Sequence, residues 1–182
     1  MCGIVGFAGH TPAAPVLLDG LSKLEYRGYD STGICTCYEG KLLVEKKQGR
    51  LSNLIEATDQ GKKLPGTIGI GHTRWATHGA PSDINAHPHM SSDGKIALVH
   101  NGIVENYLEL KAMLMEEGFT FLSETDSEVA CNLVAYCYRQ TGRLLDAMEM
   151  ALDRIEGSYS FVALCRDDPD TIVAAKNSSP MV

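Results

Sequence analysis

The sequence predicts an α+β fold built on antiparallel sheet. Short apolar or alternating runs of strand length recur along the chain, one pair of them is joined by a tight hairpin signal, and the helical periodicities fall in clusters among them rather than in strict alternation. With 182 residues there is room for one domain with a sizeable core and little room for two. No repeat, low-complexity tract or linker divides it.

Ile4 to Ala8 is too short for a helix and reads as a buried strand. Thr11 and Pro12 look like an N-cap and first helical position. Leu17, Leu21 and Leu24 follow on one helical face, and Gly28 is the expected stop. Ser31 to Tyr38 and Lys41 to Lys47 form a hairpin through Glu39-Gly40, followed by a short helix at Leu51 to Ala57 and a strand at Thr67 to His72. Thr73 to Ser92 is polar and aperiodic, and loops of that length in compact domains are usually functional or disordered. Lys95 to His100 is a strand ending in Asn101-Gly102. Glu105 to Glu117 is a helix with Tyr107, Leu110 and Leu114 on one face and Gly118 as its stop. Phe119 to Leu122 reads as a brief strand. Thr125-x-x-Glu128 is a capping box that starts a helix at about Asp126, running to Arg139. A helix over Leu144 to Ile155 and strands over Ser158 to Cys165 and Thr171 to Ala175 complete the chain.

A net charge of −7 and a pI near 5.3 leave no electrostatic footprint for nucleic acid or for an anionic membrane. No apolar run approaches the roughly 18 residues of a membrane span, and the N-terminus lacks the basic start and apolar core of a signal peptide. Six scattered cysteines without a CxxC pair read as reduced thiols, which places the chain in the cytoplasm. The expected partner is a small molecule.

Cys2 is the first candidate for chemistry. Removal of Met1 ahead of a small residue would leave a thiol and a free α-amine on one residue. With ordinary pKa values of about 8.5 and 7.7–8.0, the amine can take the thiol proton near neutral pH. Standing alone, such a cysteine reads more readily as an inert small residue. Other candidates carry similar ambiguity. Arg74 suits a carboxylate, or a surface ion pair. Asp126 suits an ammonium group, or simply the dipole of the helix it begins. Asn101-Gly102 between apolar runs is first a tight hairpin turn. His72, His78, His87, His89 and His100 raise a metal site, but no H-E-x-x-H or carboxylate at ligand spacing accompanies them, and no cofactor is expected.

Several blocks in order change the weighing: Cys2 to Gly6, Leu24 to Ser31, His72 to Gly79, Asn85 to His89, His100 to Asn106 and Ser123 to Asp126. Together they resemble class II glutamine amidotransferases over essentially the whole chain. Tyr26 to Ser31 and His72 to Gly79 resemble the branch that forms glucosamine 6-phosphate from fructose 6-phosphate. The resemblance implies an N-terminal nucleophile hydrolase fold, a four-layer αββα sandwich with antiparallel sheets, here C-terminally truncated. It implies hydrolysis of L-glutamine through a Cys2 γ-glutamyl thioester, with Asn101 and Gly102 as oxyanion donors. Arg74 would hold the substrate carboxylate and Asp126 its ammonium. Thr77, His78 and Gly79 would cover the site, with Trp75 gating ammonia passage. It further implies a sugar-phosphate isomerase region in the same full-length chain, assembled as a homo-oligomer. A glutamine-binding module silenced by truncation or by retained Met1 is the alternative, and a His-rich metal-binding protein a more distant one.

Overall fold

The computed structural model describes residues 2–75 and 79–177. Two four-stranded antiparallel sheets stack face to face. The first has the order β1-β4-β2-β3, from Gly3–Ala8, Ile68–Arg74, Ser31–Tyr38 and Lys41–Gln48. The second runs β5-β6-β7-β8, from His89–Met90, Ile96–Val104, Gly157–Cys165 and Asp168–Asn177.

Side-chain alternation along the strands sorts the apolar residues into three layers of core. Cys35 and Cys37 of β2, Ile68 and Ile70 of β4, Ala97 and Val99 of β6, and Val162 and Leu164 of β7 meet between the sheets. The opposite face of the first sheet packs against α1 (Ala13–Ser22) and α2 (Leu51–Ala57) through Leu17, Leu21, Ile34 and Leu54. The opposite face of the second carries α3 (Tyr107–Glu116), α4 (Asp126–Thr141) and α5 (Leu144–Leu152) over Leu98 and Phe161. The result is the expected αββα stack.

Local signals explain most boundaries. Glu39 and Gly40 both take positive φ, 49° and 69°, the twist that matches a two-residue hairpin to its strands. Thr125 Oγ1 accepts from Glu128 N at 3.2 Å, and Gly142 ends α4 in the left-handed conformation.

Four expectations need correction. Helix α1 starts at Ala13, with Pro12 extended, because the carbonyl of Gly66 takes the Ala13 N–H at 2.9 Å and does the cap's work. It ends at Ser22 rather than near Gly28, and a short 3₁₀ turn, Glu25–Arg27, fills the gap. No strand forms over Phe119 to Leu122, since the Leu122 and Ser123 N–H groups are taken by the Glu128 carboxylate (the first at 2.9 Å) instead of a neighbouring strand. Finally, the 73–92 stretch is not one loop: β4 runs on through Arg74, Asn85 to His89 are buried, and β5 lies within it.

Candidate functional site

The alternation that fills the inter-sheet layer also assembles the polar cluster at its end. Continuing past Ile70 on β4, the same face carries His72 and then Arg74; past Val99 on β6 it carries Asn101; before Ile4 on β1 comes Cys2. Antiparallel register sets Gly3 opposite Thr73, and Asn101 opposite Ser160 of β7. Three strands from two sheets therefore deliver Cys2, His72, Arg74 and Asn101 to one end of the stack.

Cys2 is half-buried and its Sγ accepts the Trp75 N–H at 3.2 Å. That N–H reaches the thiol because the chain at Arg74–Trp75 is pressed against the 3₁₀ turn. A Cβ on Gly28 would sit 2.6 Å from the Arg74 carbonyl, so only glycine allows the approach. Burial pushes the Cys2 thiol pKa up and the Trp75 N–H pulls it partly back. A thiol so placed needs a base to become a thiolate. The Cys2 carbonyl accepts two side-chain N–H groups, Arg27 Nε and Asn101 Nδ2, each at 3.3 Å. A cavity of about 500 Å³ opens beside Cys2 and Asn101, with Arg27, Ser160, Val162 and Ile172 in its wall.

Asn101-Gly102 is not a turn. Both residues lie inside β6, and Gly102 takes φ +135°, where an L side chain is strained and a Cβ would overlap the Ser158 carbonyl oxygen. The strand thus carries an obligatory glycine beside a side-chain amide. On its other edge that amide meets His72, with Nε2 2.8 Å from Asn101 Oδ1.

Arg74 is buried and its Nη2 donates to the Gly79 carbonyl at 3.2 Å. Asp126 reaches the end of β6 from the helical layer behind the second sheet. Its Oδ2 accepts the Val104 N–H at 2.9 Å and lies 3.9 Å from His100 Nδ1, while Ser127 Oγ donates to Oδ1 at 3.3 Å. The hydrogen bonds of Asp126 thus run within the second sheet and its helix rather than to the thiol. Trp75 is half exposed, its ring edge-on to Tyr29 at 5.8 Å. Thr77 and His78 lie outside the described residues.

The cluster includes groups to which sequence reasoning gave no catalytic or substrate-binding role. Arg27 and His72 touch the Cys2–Asn101 pair, and both lie in the blocks that carried the family resemblance. His72 lies against His87 with the rings tilted and their centroids 4.2 Å apart, and His87 meets His89 edge-on at 4.7 Å. Burial lowers the pKa of all three rings, that of His72 to about 4, so at neutral pH they are uncharged. Among the described residues no group of three or more His, Cys, Asp or Glu side chains is placed to hold a metal ion, and no helix is long and apolar enough to cross a membrane.

A cysteine at the head of the first strand, facing the layer between two antiparallel sheets that are themselves covered by helices, defines the N-terminal nucleophile hydrolases of the amidotransferase type. Solved structures agree. A glutamine phosphoribosylpyrophosphate amidotransferase from B. subtilis superposes with a TM-score of 0.75 at 29% identity, over 91% of this chain and 35% of that one. A class II glutamine aminotransferase domain protein from Silicibacter pomeroyi shares the fold at TM-score 0.63 and 16% identity, over 100% of this chain and 79% of that one. The family model described as a glutamine amidotransferase domain matches residues 72–180. This chain belongs to that family. Among curated relatives, the glutamine–fructose-6-phosphate aminotransferases (isomerizing) of Caldanaerobacter subterraneus subsp. tengcongensis and Thermus thermophilus are 56% and 54% identical over all of this chain. The one from Pyrococcus horikoshii is 50% identical. The chain spans 29–30% of the length of these relatives.

Proposed function

We propose that this chain is the glutamine-hydrolysing part of a glutamine–fructose-6-phosphate aminotransferase, releasing ammonia from L-glutamine through a Cys2 thioester. The observation that carries the reading is the Cys2–Asn101 pair: a half-buried thiol held by a backbone N–H, beside a side-chain amide fixed on a strand from the opposite sheet. Once Met1 is removed, the Cys2 α-amine takes the thiol proton and the thiolate attacks the glutamine amide carbon. The Asn101 amide and the Gly102 N–H receive the oxyanion. The protonated amine then gives its proton to departing ammonia, and the same amine activates the water that frees glutamate.

In this reading Arg74 binds the substrate carboxylate, for which its guanidinium fork is suited, and Asp126 the ammonium. Trp75, Thr77 and His78 border the bound amino acid and the exit for ammonia. Residues 1–182 act as one glutaminase domain, and the rest of the relatives' length would hold the sugar-phosphate isomerase part that uses the ammonia, in a homo-oligomeric enzyme. Six free cysteines fit a reducing compartment such as the cytoplasm.

Intact mass combined with glutamate release from glutamine tests this, comparing the chain with its Cys2→Ala variant. Loss of Met1 together with turnover that disappears in the variant is the expected result. Turnover that persisted in Cys2→Ala would overturn the mechanism. A processed, folded chain that bound glutamine without turnover would make it a silent binding module.

A further inference from the structure

We propose that His72 is a positioning residue for this site: its Nε2–H fixes the orientation of the Asn101 amide, so that Nδ2 rather than Oδ1 is turned toward the nucleophile. The geometry of the wild-type cluster carries the assignment by itself. Only its kinetic consequence rests on the glutaminase reading.

An asparagine amide has one accepting and one donating edge, and which way round it sits is decided by its neighbours. Here both neighbours speak to the same choice. On one side lies the carbonyl oxygen of Cys2, 3.3 Å away, which can only accept. The edge facing it must therefore be Nδ2. The other edge is then Oδ1, an acceptor, and it lies 2.8 Å from His72 Nε2. A bare imidazole nitrogen at that distance would set lone pair against lone pair, so Nε2 must carry the hydrogen. A neutral imidazole has one N–H only, which leaves Nδ1 bare, and Nδ1 is a buried atom without a hydrogen-bond partner among the described residues. A lone pair tolerates that position better than an orphaned N–H would, so the surroundings select the same tautomer.

The ring is also held in place. His72 is fully buried in the middle of a sheet, on a strand paired on both sides, with the ring of His87 tilted 37° over it at 4.2 Å. Burial drives the pKa of His72 to about 4, with the contact to Asn101 acting the other way. The donor is thus a neutral, rigid one, which adds no charge next to a thiol that must ionise. Without it, Oδ1 would lose its protein donor, and the amide could turn over. That would point an acceptor at the place where the oxyanion forms.

Two measurements on the whole chain test the proposal. Imidazole ¹⁵N NMR of the wild-type protein at pH 7 should show His72 protonated at Nε2 and bare at Nδ1. The opposite tautomer would overturn the proposal whether or not the chain hydrolyses glutamine. In kinetics, His72→Phe should lower kcat about 100-fold, the size of losing one oxyanion donor, while KM moves less than about threefold. His72→Gln, which keeps an N–H donor at similar reach, should recover at least about tenfold of that loss. In an Asn101→Ala background, His72→Phe should cost less than about twofold more, because the group it positions is gone. An equal loss in both backgrounds would make His72 a packing residue and sink the proposal. If His72→Phe does not fold, the tautomer and the His72→Gln variant decide the matter. A wild-type chain that makes no glutamate refutes the glutaminase reading but leaves the tautomer measurement decisive here.

Discussion

Through Asn101 the polar contacts around Cys2 bridge the two sheets, whereas around Asp126 they stay within the second sheet and its helix. On the nucleophile's side Asn101 meets the Cys2 carbonyl and His72 when the sheets stack, Trp75 meets the Cys2 sulfur through the pairing of β1 with β4, and each contact joins residues far apart in sequence. On the proposed clamp side, charged groups are already engaged by the protein: Arg74 by the Gly79 carbonyl, Asp126 by the Val104 N–H and the Ser127 hydroxyl. The difference teaches that the two sides answer to different steps. The first is preorganised, so damage to it should appear in kcat. The second must exchange internal partners for substrate, so damage to it should appear in KM.

The largest effect should come from Asn101→Ala. Loss of one oxyanion donor lowers kcat by roughly 10²–10³, about 3–4 kcal/mol, with KM little changed. A variant in which KM rose and kcat held would move Asn101 to the clamp and break the comparison.

Acid should also distinguish the two sides. In the unfolded chain a histidine gains its proton as the pH falls through about 6.5, but folded His72 resists until about 4. The unfolded state therefore binds more protons in that window. The contribution is complete above about pH 6.5 and is lost as pH falls toward 4. It amounts to about 3 kcal/mol for His72 alone. His87 and His89, also lowered by burial, act in the same direction. Urea midpoints at pH 7.5, 6, 5 and 4 should fall accordingly, and a flat series would mean that these rings are solvated.

Arg74→Lys should raise KM for glutamine about 30-fold, near 2 kcal/mol, and change kcat less, because a point charge replaces a fork. Initial-rate measurements across glutamine concentrations separate the two parameters, and an equal fall in kcat would place Arg74 with the nucleophile. The smallest effect is expected from Thr125→Ala. It removes the cap of the helix that carries Asp126, at a cost of about 1 kcal/mol in urea stability, with a modest rise in KM. No change in either would show that Glu128, bonded to Leu122 and Ser123, holds the helix start unaided.

Much of this was legible in the sequence, because the signals are local. The hairpin at Glu39-Gly40, helix α2 and the α4 cap appear where turn chemistry and capping residues put them. Phe119 to Leu122 misled because its apolar alternation gives no sign that a carboxylate six residues on claims the Leu122 backbone. The 73–92 stretch misled for a similar reason, since Asn85 is held by a local bond to Ala80 and a tertiary one from Glu124 that no periodicity announces. In the site, Cys2, Asn101 and Arg74 could be named from the blocks they stand in, and strand alternation then accounts for their meeting. His72 and Arg27 stand in the same blocks, yet their contacts depend on how two sheets and a 3₁₀ turn dock. That is information held by packing rather than by spacing.

The single tryptophan of this chain donates its backbone N–H to the Cys2 sulfur and rests its ring against Tyr29, half open to solvent. Light absorbed beyond the tyrosine band is therefore emitted from one indole, on the residue that touches the nucleophile, with no second one to dilute the signal. The protein carries its own dye at the thiol. Alkylation of Cys2, or an amino acid settling beside it, should shift that emission without any label, and the same trace in Cys2→Ala supplies the blank.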